Sequence, residues 1–313
     1  MNRSCQGYYY VLINSKLSSI NELITEMSLK ALVVWVVLDI TVQTLSETDL
    51  LPSRAYCGLQ HSDDYVRDNP GISLDEFPWI AQLVYKDNTV KCAGSLINHR
   101  YVLTAAHCLI SRYSRLTGIR LGDYDVTTDK DCVNGTRYGV ECSDPVEEVG
   151  VEKLSAHPGY RPRSGENDIG LIRLSREINY SEFIRPICLP EAANQDLKHG
   201  VRLASCGWGL TTYEGETTKV KKKISAHLLP LDTCTILFNH SSKVITANHL
   251  CVSEELEGFT CQGDSGGPLM LSVKNQWDGV GLVSFGYPCG TDYPAVYTKV
   301  SGYLDWIKQT IYK

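Results

Sequence analysis

Residues 258–268 read GFTCQGDSGGP and place Ser265 in a glycine-rich turn. The glycines let the backbone bend so that amide hydrogens point at one spot. Two such donors, the N–H groups of Gly263 and Ser265, would stabilise a negatively charged oxygen atom there. A serine hydroxyl is a weak nucleophile at neutral pH, because it needs a neutral imidazole to take its proton and a carboxylate to orient that imidazole. The stretch therefore predicts that a matching histidine and aspartate lie elsewhere in the chain.

Two further motifs supply these partners. TAAHC, residues 104–108, offers His107, and NDIGL, residues 167–171, places Asp168 just before an apolar strand. Each motif alone is weak, because a single histidine more often packs in a core and a single aspartate more often marks a turn. The order His, Asp, Ser with these flanking residues is specific, and it predicts acyl-transfer chemistry.

Composition points to an exported protein. The chain has 313 residues, which suits one domain of about 250 residues after a leader. A formal net charge of −6 argues against nucleic acid and anionic membrane as partners. The 12 cysteines form no CxxC pair, so the spacing typical of zinc sites is absent. A disulfide framework made in an oxidising compartment is the better interpretation.

The leader is assigned to residues 1–45. Within it, residues 31–38 (ALVVWVVL) form an apolar run that is too short to span a membrane but has the length of a signal-peptide core. The sequence from Met27 reads as a complete signal start, so residues 1–26 are interpreted as an upstream extension. A signal anchor with a short cytoplasmic tail is the alternative.

From Glu76 onward, short apolar runs alternate with Gly, Asn, Asp and Pro, a pattern typical of an all-β sandwich or barrel. Residues 66–313 are assigned to this domain, and residues 46–65 to a short light chain or propeptide ahead of it. One helix is predicted at the C-terminus, with Ser301 as its cap. The run Lys221–Lys223 is interpreted as a solvated loop.

One loop insertion and three modification motifs are predicted on the surface. Residues 128–148 resemble an insertion that Cys132 and Cys142 are close enough to staple. Asn134, Asn179 and Asn239 each begin an Asn-X-Ser/Thr triplet, so each is a hypothetical glycosylation site on a surface loop.

The chain resembles the trypsin/chymotrypsin-type serine proteases from about Glu76 to Lys313. The motifs in register are EFPW, GSLI, TAAHC, NDIGLIRL, RPICLP, GWG, CQGDSGGPL, VSFG and VYTKV. The stapled loop, the CGLQ segment and the DEFPW entry are similar to arthropod clip-type proteases of haemolymph or venom, although the six-cysteine clip module is missing. The resemblance implies two six-stranded antiparallel β-barrels with a C-terminal helix, and a catalytic site between the barrels.

The same resemblance implies a catalytic triad. His107 would be the general base, Asp168 would orient it, and Ser265 would be the nucleophile. Gly263 and Ser265 would form the oxyanion hole with their N–H groups.

The resemblance also implies a specificity pocket, and here the sequence departs from the family. Ser284, which would also support the catalytic aspartate, would bind the substrate backbone with Phe285 and Gly286. Phe259 stands where trypsin-like members have an aspartate at the pocket base, and Ala295 stands where the pocket wall usually has glycine. A substrate arginine would therefore be buried without a counter-charge, so we expect small or medium apolar residues instead. The alternative is that Phe259 turns away and the pocket stays open.

The disulfide pairing that the resemblance implies accounts for ten of the cysteines. Cys5 would leave with the leader, and Cys206 would be a buried free thiol or, alternatively, would join two chains. Leu203 and Leu271 stand where the family often has a further bridge, so apolar packing is expected there. The implied pairs are Cys57–Cys188, which would keep a light chain attached after cleavage, Cys92–Cys108, Cys132–Cys142, Cys234–Cys251 and Cys261–Cys289.

The activation site is the second feature in which the sequence departs from the family. Members of the family are made as zymogens, and cleavage after a basic residue frees an Ile or Val amine that pairs with the aspartate before the serine. That aspartate is present as Asp264, and such a buried ion pair can switch the oxyanion loop. The matching start in this chain is Val66, which follows Tyr65, so a chymotrypsin-like activator would be needed.

These observations predict a secreted serine endopeptidase, made as a zymogen, that acts on protein substrates in an extracellular proteolytic cascade. An upstream activating protease and serpin-type inhibitors are the expected partners, and the protein is expected to be a monomer. No cofactor is expected, although calcium in the loop from Asp123 to Glu147 is a hypothesis beside that of a plain acidic loop. The alternative function is a protease-like regulatory adaptor whose site is never switched on. A plain structural domain would explain none of the motif order.

Overall fold

The computed structural model describes residues 50–60, 72–110, 115–135, 139–191, 197–210, 215–255, 260–291 and 293–311. From Leu51 onward these residues belong to one compact unit. The predicted leader, the Tyr65–Val66 start and Phe259 lie outside the described residues. No helix within the described ranges is both long and apolar enough to cross a bilayer.

Fourteen β-strands lie in these ranges and dominate the fold. They are β1 Ile80–Tyr85, β2 Val90–Asn98, β3 Tyr101–Thr104, β4 Leu116–Leu121, β5 Cys132–Gly135, β6 Gly139–Cys142, β7 Glu147–Ala156, β8 Gly170–Leu174, β9 Arg202–Gly207, β10 Lys222–Leu229, β11 His249–Glu254, β12 Pro268–Val273, β13 Gln276–Phe285 and β14 Ala295–Lys299.

Twelve of these strands close into two antiparallel barrels. The first barrel has the order β1-β2-β3-β8-β7-β4, and the second has the order β10-β11-β14-β13-β12-β9. Closure pairs every strand on both sides, so neither barrel leaves an open sheet edge. The structure therefore confirms the predicted all-β architecture of two six-stranded barrels.

Alternating side chains fill the second barrel. Along β10, Ile224, Ala226 and Leu228 are buried, whereas the residues between them are partly exposed. This period of two is what places one face of a strand in a barrel interior. Leu203 belongs to the same buried cluster and Leu271 packs against it, so apolar contacts occupy the place of the missing bridge.

The remaining two strands, β5 and β6, form a hairpin. Cys132 and Cys142 face each other in its register and are joined by a disulfide. The hairpin lies within the predicted insertion at residues 128–148.

Three α-helices are described: α1 Ala106–Leu109, α2 Leu231–Phe238 and α3 Leu304–Ile311. The C-terminal helix was predicted with Ser301 as its cap, but this start is wrong. Val300–Tyr303 form a 3₁₀ turn first, and the Ser301 hydroxyl is buried with no hydrogen-bond partner among the described residues. Buried Ile307 and Ile311 hold α3 against the barrel.

Five disulfides join the described chain, and one cysteine is free. Cys206 is fully buried, and burial raises the pKa of its thiol, so the thiol stays protonated and inert. The pairs are Cys57–Cys188, Cys92–Cys108, Cys132–Cys142, Cys234–Cys251 and Cys261–Cys289, the same pairs that the family resemblance implies.

The segment at residues 51–60 is tied to the second barrel by an ion pair, and a disulfide joins its Cys57 to Cys188. Arg54 donates from one nitrogen to both carboxylate oxygens of Asp278 at 2.9 Å. The side chain of Asp278 is 2% exposed and that of Arg54 is 35% exposed. Removing the arginine would leave a buried carboxylate without its counter-charge.

We expect Arg54→Met to lower the free energy of unfolding by about 2 to 3 kcal/mol, less than for a fully buried pair because Arg54 reaches solvent. Arg100→Met is the matched control: Arg100 is similarly exposed, but its partner Glu152 is 42% exposed. That change should cost about 1 kcal/mol or less. Urea unfolding of both variants measures the difference, and equal losses would contradict the role assigned to Asp278.

Candidate active site

The three motifs found in the sequence converge on the junction of the two barrels. His107 lies in α1, just after β3, and Asp168 lies just before β8 of the first barrel. Ser265 precedes β12, and Ser284 lies near the end of β13, both in the second barrel. Asp168, Ser265 and Ser284 therefore lie at or near the ends of barrel strands, and His107 lies in the short helix that follows one.

The Asp168 carboxylate is the centre of this junction. Its Oδ1 accepts the backbone N–H of His107 at 2.9 Å, and its Oδ2 lies 2.8 Å from His107 Nδ1. The Ser284 hydroxyl also donates to Oδ2 at 2.6 Å. The side chain of Asp168 is 3% exposed, so these donors replace water around it.

These contacts set the protonation state of the site. Burial alone would raise the pKa of Asp168, but the charge and hydrogen bonds of His107, with the hydroxyl of Ser284, lower it below its usual value. An ionised carboxylate can accept a hydrogen bond from the Nδ1–H group of the imidazole. In a neutral imidazole whose Nδ1 carries the proton, the other ring nitrogen, Nε2, has no proton and can act as a base.

Two side-chain hydroxyl groups, from Thr298 of the second barrel and from Tyr303 of the 3₁₀ turn after it, hold the Asp168 segment in place. Thr298 in β14 donates its hydroxyl to the Asp168 carbonyl at 2.8 Å, and the contact is buried. Tyr303 donates its hydroxyl to Asn167 Oδ1 at 3.0 Å. The carboxylate is therefore fixed from both barrels, and not from its own strand alone.

The Ser265 segment is anchored to β2 of the first barrel. The Ser265 carbonyl accepts the N–H of Ala93 at 2.8 Å, and it lies 3.5 Å from the Sγ of Cys108, the neighbour of His107. Among the described residues, the Ser265 hydroxyl has no hydrogen bond to His107. In enzymes without substrate such bonds are often long, and they tighten when substrate binds.

Two N–H groups beside Ser265 are available as donors. Gly263 has a φ of +106°, which side-chain-bearing residues rarely adopt. Within the described chain, the N–H groups of Gly263 and Ser265 are in no internal hydrogen bond, whereas those of Asp264, Gly266 and Gly267 are. The loop is therefore compatible with the predicted oxyanion hole.

Asp264, between these two donors, points away from the hole and into the protein. It is fully buried, and its Oδ1 accepts the N–H of Gly209 at 2.7 Å while its Oδ2 accepts the N–H of Cys261 at 3.0 Å. A side chain at Gly209 would overlap this carboxylate. Burial raises the pKa of Asp264, and the ammonium group of Lys222, 3.1 Å from Oδ2, opposes that rise.

The lysine run was interpreted as a solvated loop, and that interpretation is wrong. Lys222 begins β10, and its side chain is 15% exposed. Lys221 is 3% exposed and donates to the carbonyl of Glu76 at 2.6 Å. Charge runs are usually solvated, so only the pairing of β9 with β10 shows that these lysines face buried acceptors.

The structure brings together three of the four predicted pocket residues. Gly286 and Ala295 are adjacent, since a Cβ built on Gly286 would lie 3.6 Å from the Ala295 Cα. Ser284 is two residues before Gly286, at the catalytic end. The fourth residue, Phe259, lies outside the described residues, as do Tyr65 and Val66.

Glu254 is a largely buried acidic residue that the sequence analysis missed, on the strand that pairs with the strand of Ala295. It accepts the N–H of Thr260 at 2.9 Å and the hydroxyl of Tyr297 at 2.7 Å, next to Phe259 in the chain. Burial raises the pKa of Glu254. No local signal marks this glutamate, because its partners lie 6 and 43 residues away.

The acidic loop suits a cation only in part. Asp123 is 3% exposed, and its Oδ1 has no hydrogen-bond partner among the described residues. Burial and the nearby Asp131 raise the pKa of Asp123 to about 6. Glu147, however, accepts a hydrogen bond from Arg176 at 2.5 Å. Of the two carboxylates named for calcium, only that of Asp123 has an oxygen without a partner among the described residues.

One other cluster has metal-ligating residues, and it is explained without a metal. Cys92, His107 and Cys108 lie close together in the described chain. The two cysteines are joined to each other, so neither is a thiolate that could bind an ion.

Comparison with known proteins identifies the family. The family model described as Trypsin matches residues 71–307, which is more than half of the chain. The chain belongs to the trypsin family. It is a serine endopeptidase, and its similarity to arthropod clip-type proteases is confirmed by relatives and by a solved structure.

Three similar proteins illustrate this. Phenoloxidase-activating factor 3 of Holotrichia diomphalia is 39% identical over 279 residues, covering 86% of this chain and 78% of the relative. Spaetzle-processing enzyme of Drosophila melanogaster is 36% identical over 295 residues, covering 87% and 72%. The crystal structure of the Drosophila Grass clip serine protease of the Toll pathway matches with a TM-score of 0.70 and 32% identity, covering 82% of this chain and 74% of that one.

For this trypsin-family enzyme we expect Asp168→Asn to slow the reaction of Ser265 with a fluorophosphonate by about 10⁴-fold, the size of the effect on kcat in the family's reference triad. An amide would favour the wrong imidazole tautomer. Ser284→Ala removes one hydrogen bond to the same carboxylate and should cost about 10-fold. Asp144→Asn, an exposed aspartate elsewhere, is the control and should change nothing. Equal effects of all three variants would contradict the geometry described.

Proposed function

We propose that this enzyme is a secreted endopeptidase that cleaves protein substrates within an extracellular proteolytic cascade, with non-tryptic specificity. The observation that carries the proposal is the junction of Asp168 with His107 and Ser284, beside the Ser265 loop. This arrangement is a base held by a buried carboxylate next to a nucleophile with two backbone donors.

The geometry supports acyl-enzyme chemistry in two stages, which are formation of the acyl-enzyme and its hydrolysis. Ser265 Oγ attacks the scissile carbonyl carbon while Nε2 of His107 takes the hydroxyl proton, and Asp168 stabilises the imidazolium that forms. The N–H groups of Gly263 and Ser265 hold the negative oxygen. His107 then gives its proton to the leaving amine, which breaks the peptide bond. A water molecule releases the acyl group by the same steps in reverse.

The setting of a cascade is proposed from the relatives. Their names describe a phenoloxidase-activating factor and a Spaetzle-processing enzyme, which are proteases that act on other proteins. By analogy, this enzyme would act as a monomer on protein substrates and would be controlled by serpin-type inhibitors. We propose that it is made as a precursor, and that an upstream protease cuts after Tyr65 and frees Val66.

Secretion is proposed from the cysteines. Five disulfides suit an oxidising compartment, since reducing compartments keep such thiols unpaired. The signal-like run after Met27 supports the same conclusion. The disulfide between Cys57 and Cys188 would keep the light chain attached after the cut.

Specificity is proposed from Phe259 and Ala295. The adjacency of Gly286 and Ala295 places the Ala295 side chain beside the segment that would bind substrate. Because no acidic residue stands at position 259, a substrate arginine or lysine would lack a counter-charge in the pocket. Small or medium apolar side chains before the scissile bond are therefore favoured.

A peptide library tests both the activity and the specificity. We expect the wild type to prefer apolar residues before the cut, and Phe259→Asp to raise kcat/KM for arginine peptides by about 100-fold or more, since it supplies the missing charge. Phe259→Ala is the matched control, because it enlarges the pocket without adding charge. No turnover of any peptide by the wild type, cut or uncut, would favour the regulatory adaptor instead. A wild type that prefers arginine would remove the specificity proposal.

Calcium in the loop from Asp123 to Glu147 stays a prediction with its own test. A bound ion would give the buried Asp123 oxygen a partner, so Tm should fall by several degrees when a chelator removes it. Asp123→Asn should abolish the chelator effect. A Tm that does not respond to chelator would remove the site.

A further inference from the structure

Asp264 has an internal cation as a partner. Its buried Oδ2 lies 3.1 Å from Nζ of Lys222, and Lys222 also donates to the Leu210 carbonyl at 2.9 Å. With Gly209 and Cys261 as backbone donors, the carboxylate has three hydrogen-bonding or charged contacts to the surrounding chain, including that of Lys222.

Strand register explains why Lys222 reaches this position. It is the first residue of β10 and stands opposite Gly207 of β9. A side chain at Gly207 would overlap Asp264 Oδ1, so the glycine leaves the space that the carboxylate fills. The next residue, Lys223, points to the other face of the strand and donates to Glu76 Oε1 at 2.5 Å. Adjacent lysines therefore have different acceptors.

Charge balance makes Lys222 important for the loop. A buried carboxylate without a cation is strongly unfavourable, so the loop conformation that buries Asp264 needs a positive charge nearby. The same conformation holds the flanking N–H groups of Gly263 and Ser265 free for the oxyanion. A group that stabilises buried Asp264 therefore also stabilises the oxyanion hole.

We infer that Lys222 is a positioning residue that holds the oxyanion hole of the uncut chain, so that the enzyme reacts with substrates before any activating cut. The inference rests on the proposed endopeptidase function and deepens it by naming how the site is regulated. Cleavage ahead of Val66 would then bring a second cation to a carboxylate that already has one. The cut would modulate activity and would not create it.

The test compares the same chain before and after one defined cut. Residues 61–65 read HSDDY, so His61→Asp, Ser62→Asp and Tyr65→Lys create an enteropeptidase site that exposes Val66. The rate of fluorophosphonate labelling is measured on uncut and cut protein, with reducing gels to verify that the uncut sample is a single chain. Ser265→Ala in the same background gives the blank.

Four lysine forms are then compared in this background. The uncut wild type should label at a rate within about 10-fold of the cut form. Uncut Lys222→Met should label about 100-fold more slowly, because the oxyanion donors are lost, and the cut should restore it by supplying an amine. Lys222→Arg should keep the uncut rate, since it keeps the charge. Lys223→Met, the adjacent lysine on the other face, should label as the wild type does.

The outcomes separate this inference from the proposed function. Labelling of the cut wild type but not of the uncut form would overturn the inference and leave the endopeptidase intact. If neither the cut nor the uncut wild type is labelled, both the inference and the proposed endopeptidase function are overturned. Unchanged labelling of uncut Lys222→Met would show that Lys222 is not needed. If Lys222→Met stays silent after the cut, or Lys222→Arg loses the uncut rate, then Lys222 acts through something other than its charge, and the inference is also overturned.

Discussion

A carboxylate that is removed from water must be surrounded by donors or paired with a cation, and three aspartates show how strongly this constraint shapes the molecule. Asp168 joins α1 of the first barrel to β13 and β14 of the second. Asp264 joins the nucleophile loop to β9 and β10. Asp278 joins the N-terminal segment to β13. Each carboxylate lies where two parts of the chain meet. The contacts that stabilise the carboxylate therefore also hold those two parts together.

This arrangement places the charges before a substrate arrives. Donors that are already aimed at the position of a developing negative charge need no reorganisation during the reaction, which is why such sites accelerate acyl transfer. Contacts from both barrels hold Asp168. Asp264 accepts one N–H group from Cys261 of its own loop and one from Gly209 of another segment. This arrangement restricts the sequence at two positions. Gly207 and Gly209 cannot carry side chains, because any Cβ would overlap the Asp264 carboxylate.

Sequence patterns predicted what depends on local spacing and on family motifs. The apolar runs indicated an all-β sandwich or barrel, the family motifs implied two barrels, and the structure contains two barrels. The motifs around His107 and Asp168 indicated residues that the structure places in contact. Lys222 could not be found in this way, because its partner lies 42 residues further along the chain and only strand register brings the two together. The start of the last helix was misplaced for a related reason: Ser301 has cap chemistry, but a buried 3₁₀ turn occupies its position.

With Val66 as the proposed activation start, an internal cation would account for the departure of this stretch from the family sequence. Where a freed amine is the only cation available to the buried aspartate, the residues of that terminus must fit a narrow slot. Here Lys222 already faces Asp264, so the stretch Val66–Asn69, which stands at the proposed start in place of the family's Ile-Val-Gly-Gly, would be under weaker constraint. Oδ2 of Asp264 already accepts Cys261 and Lys222, whereas Oδ1 accepts Gly209. A new amine would have to share Oδ1 or displace the lysine. It therefore adds less to the stability of the loop than it would where Asp264 had no cation.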